Sequence, residues 1–184
     1  MRIYTRKGDD GTTGLLFGGR VGKDSDVASA GGDVDEAQAA LGVARARAAV
    51  SCTDSASELC ELIVGVQRDL WVLMAELATA PANRDRLKPG ETLVTGAMVE
   101  RLEGLIDDIG GRFAAPTEFV VPGQDMESAL LDLARTVVRR AERRAVVVAA
   151  GGSFVVPYLN RLSDLLWTMA RWREQEALPA REKM

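Results

Sequence analysis

The sequence predicts an all-α fold in which five helices form a bundle behind a long, glycine-rich N-terminal loop. Apolar residues recur at helical spacing in five separate segments. The composition agrees, because aromatic residues make up only 5% of the chain while alanine, leucine, glutamate and arginine are abundant. Residues 1–32 instead combine many glycines with polar residues and show little helical periodicity, which predicts a functional loop.

Each of the five segments has an apolar stripe that would face the centre of a bundle. The stripes are Val34, Ala37, Leu41, Ala44 and Ala48; then Leu59, Leu62, Ile63, Val66, Leu70, Leu73 and Leu77; then Val99, Leu102, Ile106 and Ile109; then Leu130, Leu133, Val137 and Ala141; and finally Leu162, Leu165, Leu166 and Met169. The polar stretch 81–96 is expected to be an exposed loop. One domain over residues 1–184 follows, with a loop at 1–32 and a bundle at 33–178.

Composition and charge remove several classes of function. A net charge of −4 provides no basic field for nucleic acid. No apolar run reaches the roughly 18 residues of a membrane span, and the N-terminus turns polar at once, so we expect a cytoplasmic protein without a signal peptide. Cys52 and Cys60 are expected to be free thiols. The absence of histidine excludes Ser–His hydrolysis and histidine-ligated zinc.

The first candidate motif runs from Thr5 to Gly14 in the N-terminal loop. Its glycines let backbone N–H groups converge and its threonine hydroxyls can donate, as phosphate binding requires. The positive charges nearby are Arg6, Lys7 and Lys23. The Gly-Lys-Ser/Thr ending of a Walker A motif is missing, and a flexible polar arm is the alternative interpretation.

The second motif is the arginine-rich stretch from Arg135 to Arg144. At about 100° per residue, one wedge of the helix roughly 100° wide carries several charges and lies away from the apolar stripe. These charges are Arg135, Arg139, Glu142 and Arg143. Three arginines at this spacing repel one another and favour an anionic partner such as phosphate. A solvated helix face, with Glu142 balancing the arginines, is the alternative.

Three further segments each have a structural interpretation. Asn160, Ser163 and Asp164 share one helical face, where Asn160 would bind a nucleotide or the group would cap the fifth helix. The segment 119–123 precedes the fourth helix and would fix its entry as a hydrophobic staple. The acidic pair 35–36 would be stabilised by the helix dipole if it lay in a first turn.

Taken together and in this order, these segments resemble the PduO-type ATP:cob(I)alamin adenosyltransferases. The matching segments span nearly the whole chain and are 4–13, 20–24, 34–36, 119–123, 133–144 and 159–164. The arginine-rich stretch and the Asn-Arg-Leu-Ser-Asp stretch are the most specific in combination. The resemblance implies a homotrimer of five-helix bundles of the cobalamin adenosyltransferase type, with active sites between subunits.

The resemblance also implies roles for individual residues. Those expected to contact ATP are Thr5, Arg6, Lys7, Gly8, Thr13, Gly14, Lys23, Arg139, Arg140, Glu142, Arg143 and Asn160. Arg135 would pair with Asp35 of the partner subunit. Phe119 would lie against the cobalamin and keep the lower axial face of cobalt free of its nucleotide base. Arg139, Phe119, Arg135 and Asp35 are therefore the catalytic candidates, and no protein metal ligand is predicted.

The implied activity is transfer of the 5′-deoxyadenosyl group of ATP to cob(I)alamin, giving adenosylcobalamin and triphosphate. Arginine, lysine and Mg²⁺ would stabilise the leaving group. Expected partners are ATP, reduced cobalamin, further copies of the chain, a cobalamin reductase and a dependent enzyme that receives the product. Two alternatives remain: a carrier that holds adenosylcobalamin without making it, and a helical scaffold whose arginine face binds an acidic partner.

Overall fold

A computed structural model describes residues 3–174 and 176–181. Five α-helices follow a short hairpin, which confirms the all-α class. The helices are α1 (Asp26–Ala48), α2 (Asp54–Leu77), α3 (Gly96–Gly110), α4 (Met126–Val148) and α5 (Val155–Glu174). Helix α4 packs between α1 and α5, while α2 lies on α1 and α3 lies on α5. The core is the shared apolar interior of this bundle.

Short polar side chains start the first four helices. Ser25, Thr53 and Thr95 each accept a hydrogen bond from the backbone N–H three residues later, and Asp125 accepts from the N–H groups two and three residues later at the start of α4. These caps satisfy backbone donors that have no partner within the helix. They therefore fix where each apolar stripe begins.

The first helix begins at Asp26, seven residues before the boundary predicted at 33. Gly31 and Gly32 suggested loop, but the Ser25 cap and the complete burial of Ala30 extend the helix through them. Asp35 and Glu36 consequently lie well inside α1, so the first-turn interpretation of this acidic pair is wrong.

The N-terminal loop contains a hairpin that the sequence did not predict. Strand β1 (Thr12–Gly14) pairs antiparallel with β2 (Arg20–Gly22), with Thr13 opposite Val21. Strands of three residues are too short to show an alternating pattern. The turn between them uses left-handed backbone at Phe17, Gly18 and Gly19 (φ 65°, 102° and 90°). The hairpin is held to the bundle by a 2.8 Å hydrogen bond from the Leu16 N–H to the Ala78 carbonyl.

Two further expectations need correction. The stretch 81–96 is not a plain exposed loop, since it contains a 3-10 helix (Pro81–Arg86) and buries Leu87 and Val94. Leu133 is 56% exposed and does not belong to the buried stripe of α4. Because α4 is covered by α1 on one side and α5 on the other, its buried apolar positions are Leu131, Ala134, Val137, Val138, Ala141 and Ala145.

Other properties agree with the sequence. Cys52 is exposed, Cys60 is half-buried and both are free thiols. Over the residues that the structure describes, no helix combines the length and the apolar character of a membrane span.

Candidate functional site

The predicted phosphate loop is held in shape by Arg20. Its guanidinium donates to the Lys7 carbonyl at 2.5 Å, and to both the hydroxyl (2.7 Å) and the carbonyl (3.2 Å) of Thr12. Asp10 accepts from the Thr12 hydroxyl (2.8 Å) and the Thr12 N–H (2.9 Å), and these bonds lower the pKa of Asp10. Residues 7–12 therefore form a closed turn, although their side chains are largely exposed.

Lys23 lies directly over this turn. A Cβ atom added at Gly8 would lie 3.0 Å from the Lys23 Nζ atom and 3.1 Å from the Thr12 carbonyl oxygen, so any other side chain there would crowd the ammonium group. The Lys23 N–H also donates to the Gly11 carbonyl at 2.9 Å. Among the described residues Arg6, Lys7 and Lys23 form no salt bridge. Three cations without an internal counter-ion around tight backbone suit a phosphate ligand.

Helix α4 brings a second group of charges together. Arg139 and Arg143 are exposed, and the Arg143 guanidinium donates to the Arg139 carbonyl at 2.9 Å. Arg140 instead contacts α1, where it pairs with Glu36 and lies 3.5 Å from Asp33. The hydrogen bond that Arg140 donates to Glu36 raises the pKa of Arg140. Arg140 is thus already neutralised within its own chain, whereas Arg139 and Arg143 face outward.

Asn160 lies in the second turn of α5 and is not a cap, which rules out the structural alternative for this residue. Its amide N–H donates to Glu142 at 3.0 Å, and its carbonyl accepts from Arg161 at 2.6 Å. This hydrogen bond holds together Glu142 and Asn160, two residues that are both predicted to contact the nucleotide. These contacts span α4 and α5, so the sequence could not reveal them.

Phe119 lies at the mouth of a cavity of about 1020 Å³. The residues around this cavity are Pro116, Thr117, Glu118, Phe119, Val120, Pro122, Asp132, Arg135, Trp167, Arg171, Ala180 and Arg181. Phe119 is 91% exposed, so it does not staple the entry to α4, and that structural interpretation is wrong. Two backbone hydrogen bonds join this segment to the residues after α5. The Ala180 N–H donates to the Phe119 carbonyl (2.7 Å), and the Val121 N–H donates to the Leu178 carbonyl (2.8 Å).

Arg135 connects this cavity to the exposed arginines. It lines the cavity, and Arg139 lies one turn further along the same face of α4, a rise of about 6 Å. Arg135 Nε donates to Asp132 of its own helix at 3.0 Å. Asp35 is exposed on α1 and is not paired with Arg135 within the described chain. The predicted contact between Asp35 and Arg135 thus needs a second copy of the chain.

The predicted residues form three groups. The N-terminal turn joins Thr5–Gly14 with Lys23, the C-terminal half of α4 joins Arg139, Arg140, Glu142 and Arg143 with Asn160, and the cavity joins Phe119 with Arg135. Within residues 3–174 and 176–181, no hydrogen bond or salt bridge links the turn to the α4 arginines. Nor does any cluster of three or more acidic or cysteine side chains form a metal site there.

Comparisons with known proteins decide the family. Residues 3–173 match the family profile described as cobalamin adenosyltransferase. The chain belongs to this family. The corrinoid adenosyltransferase of Mycobacterium tuberculosis is 41% identical over 175 residues, which cover 92% of this chain and 87% of that protein. The corrinoid adenosyltransferase of Citrobacter freundii is 39% identical over 178 residues, covering 94% and 95% of the two chains.

Solved structures of the family agree with the fold. A phenylalanine-to-histidine variant of a Lactobacillus reuteri PduO-type ATP:corrinoid adenosyltransferase, in complex with cobalamin and ATP, has a TM-score of 0.85 at 27% identity and covers 98% of this chain and 97% of its own. An arginine-to-lysine variant in complex with ATP has a TM-score of 0.83 at 25% identity, with coverage of 97% and 100%. This member of the adenosyltransferase family therefore has the same fold as these structures over nearly all of its length.

Sequence reasoning missed three residues of the site. Arg20 stood within a matching segment but was not assigned the role of closing the turn at residues 7–12. Asp132 and Arg171 are both buried and line the cavity. The available signal was that both are charged residues at positions which the helical pattern of α4 and α5 turns toward the core. A charged residue is rarely buried there unless it is paired.

Proposed function

We propose that this chain transfers the 5′-deoxyadenosyl group of ATP to the cobalt of cob(I)alamin, giving adenosylcobalamin and triphosphate. The observation that carries the proposal is the continuous face of α4. This face passes from Arg135 in the cavity to the exposed Arg139 and Arg143. It offers adjoining places for a large ring-shaped ligand and for a polyphosphate. Membership of the cobalamin adenosyltransferase family supports the same chemistry.

The reaction requires little acid–base chemistry from the protein. Co(I) attacks C5′ of ATP with its electron pair, the C5′–O bond breaks, and triphosphate leaves with the bonding electrons. The protein must align the two reactants and stabilise the negative charge on the leaving group. The cations whose charge is available for that task are Arg6, Lys7, Lys23, Arg139 and Arg143, because none of them forms a salt bridge among the described residues, whereas Arg140 is engaged by Glu36.

We assign the nucleotide to the N-terminal turn and the α4 arginines together. The residues proposed to contact it are Thr5, Arg6, Lys7, Gly8, Thr13, Gly14, Lys23, Arg139, Arg140, Glu142, Arg143 and Asn160. Since no hydrogen bond or salt bridge joins the turn to the arginines among the described residues, a site that uses both is best built between subunits. A homotrimer with Asp35 of one subunit facing Arg135 of the next is the proposed assembly. Mg²⁺ is proposed to accompany the triphosphate.

We assign the corrinoid to the cavity beside Phe119. Its volume of about 1020 Å³ is at the upper end for small-molecule sites and suits a bulky ring system. An exposed aromatic ring at its mouth would exclude water and the nucleotide base from the lower axial position of cobalt. Reduction of Co(II) is easier without an axial ligand, so Phe119 would favour formation of Co(I).

A turnover assay tests the proposed function directly. Purified chain is mixed with MgATP and chemically reduced cobalamin, and the corrinoid spectrum is followed. Formation of the cobalt–carbon bond supports the enzyme. A protein that binds adenosylcobalamin but forms none is a carrier, and one without affinity for ATP is a scaffold. Direct delivery of product to a dependent enzyme, interaction with a reductase and location in the cytoplasm stay predictions from the sequence.

A further inference from the structure

The wall of the cavity contains a buried carboxylate that the reaction outlined above does not use. Asp132 on α4 is only 4% exposed. Its Oδ1 atom accepts from Arg135 Nε at 3.0 Å, and its Oδ2 atom accepts from an Arg171 terminal nitrogen at 2.5 Å. Each carboxylate oxygen is therefore engaged by a different arginine, one on the same helix and one on α5.

Arg171 is itself held from the other side. It is 2% exposed, and the nitrogen that reaches Asp132 also donates to Glu174 Oε2 at 3.0 Å. Burial raises the pKa of the Glu174 carboxyl. The charges alternate along a chain, Glu174–Arg171–Asp132–Arg135, which runs from the end of α5 to the cavity. Buried ion pairs often contribute little net stability, so stability alone is a weak explanation for this chain.

The contact with Asp132 uses only one edge of the Arg135 guanidinium. Among the described residues, the terminal nitrogens of Arg135 have no hydrogen bond or salt bridge. A planar guanidinium that is fixed through Nε presents its remaining N–H groups in a defined direction. Arg135 lines the cavity, so these donors are available to a ligand there or to an acidic group of an adjoining subunit.

We propose that Asp132 is a positioning residue, which orients Arg135 toward the corrinoid and is itself held in place by Arg171. This proposal rests on the proposed function. Asp132 touches neither substrate, and it acts through the direction in which Arg135 points. Without it, Arg135 would keep its charge but would sample other rotamers, and the alignment of the corrinoid would be lost.

The test compares Asp132→Asn with Asp108→Asn in the full-length protein. Asparagine keeps the size of the side chain but has one acceptor oxygen instead of two, so one guanidinium contact is lost. Asp108 on α3 is the control, because it also forms an ion pair with an arginine, at 2.5 Å from Arg112 just after the helix, but does not line the cavity. Both variants are assayed for turnover with cob(I)alamin, cob(II)alamin binding, apparent ATP affinity and thermal unfolding.

Asp132→Asn should lower turnover about tenfold to a hundredfold, as expected when a reacting group is misplaced by about 1 Å. Cob(II)alamin should bind more weakly and show less of the four-coordinate spectrum, with the ATP affinity little changed. Asp108→Asn should match the wild type in all of these. If Asp132→Asn unfolds, Asp132→Glu, which keeps both acceptor oxygens and the charge, replaces it and should retain more activity than Asp132→Ala.

The double variant Asp132→Asn/Arg135→Ala separates positioning from packing. If Asp132 acts through Arg135, the double variant should be no slower than Arg135→Ala alone. Multiplicative losses, or equal loss of ATP and corrinoid binding, would overturn the proposal. Wild-type activity in Asp132→Asn would also overturn it, and would leave the proposed function intact. Failure of the wild type and of Asp108→Asn to form the cobalt–carbon bond would overturn the proposed function itself.

Discussion

Replacing Phe119 by alanine separates a role beside the corrinoid from a role in packing the bundle. The side chain is 91% exposed, so less than a tenth of it is removed from water by the rest of the chain. Full burial of a phenylalanine is worth about 1.5–3 kcal/mol, which gives a packing contribution of roughly 0.1–0.3 kcal/mol here. For a chain of this length that corresponds to a shift in melting temperature below about 1 °C.

A staple would behave differently. Truncating a buried phenylalanine costs about 3–5 kcal/mol, equivalent to a shift of roughly 6–20 °C. Thermal melts at two protein concentrations distinguish a ring buried within one subunit from a ring buried in a subunit interface. Only in the second case would the change in melting temperature depend on protein concentration.

The activity should change far more than the stability. We expect Phe119→Ala to lose most of its turnover when cob(II)alamin must be reduced on the enzyme, because water or the nucleotide base gains access to the lower axial position. Cobalamin supplied as Co(I) should restore part of the rate, and the apparent ATP affinity should stay near that of the wild type. Spectra of bound cob(II)alamin report the coordination number. An unaltered four-coordinate signal, or a large loss of melting temperature, would refute the reasoning.

Four other perturbations have definite expected outcomes. Arg139→Ala should reduce kcat about 10²–10³-fold with assembly unchanged, measured by steady-state assay and sedimentation, and near-normal kcat would refute its role at the phosphate. Asp35→Ala and Arg135→Ala should be strongly non-additive in a double-mutant cycle on activity, whereas additive losses would count against contact between subunits. MgATP should increase hydrogen-exchange protection over residues 3–25, because its phosphates would join Arg6, Lys7 and Lys23, which form no salt bridge among the described residues, and equal protection in both states would contradict ordering by nucleotide. Glu76→Ala should cost at least about 2 kcal/mol of unfolding free energy in urea, because this buried carboxylate accepts from Arg84, Ser153 and the Val94 N–H, and a neutral effect would contradict that account.

The fold class could be predicted because the signal is local. Leu41, Ile63, Leu102 and Leu162 were assigned to apolar stripes, and all four are fully buried. Helical periodicity repeats within each segment, so it can be recognised without knowing which other helices pack against that segment. The hairpin at Thr12–Gly14 and Arg20–Gly22 escaped because its strands are too short for a pattern.

The candidate site was likewise predictable only in part. Residue type and spacing were enough to single out Arg139 and the N-terminal turn, because phosphate binding leaves a recognisable pattern. Phe119 was singled out only through the family resemblance. The contacts among these residues were out of reach, since Asn160 with Glu142 and Arg140 with Glu36 join different helices. Hydrogen-bond partners that lie many residues apart depend on how helices are arranged, not on spacing within one of them.

The sequence by itself therefore determined the five helices and the family, because backbone preferences and apolar spacing act over a few residues. Only the tertiary structure decided which charges are buried, which are paired and which remain available. Arg139 and Arg140 are neighbours in sequence, yet α1 neutralises Arg140 while Arg139 stays exposed. The sequence marked Asp132 only as a charge at a core-facing position of α4, and this did not reveal that Asp132 lies in the cavity wall. The physical reason is that burial and charge pairing depend on surfaces that distant segments bring together, and these form only when α4 packs against both α1 and α5.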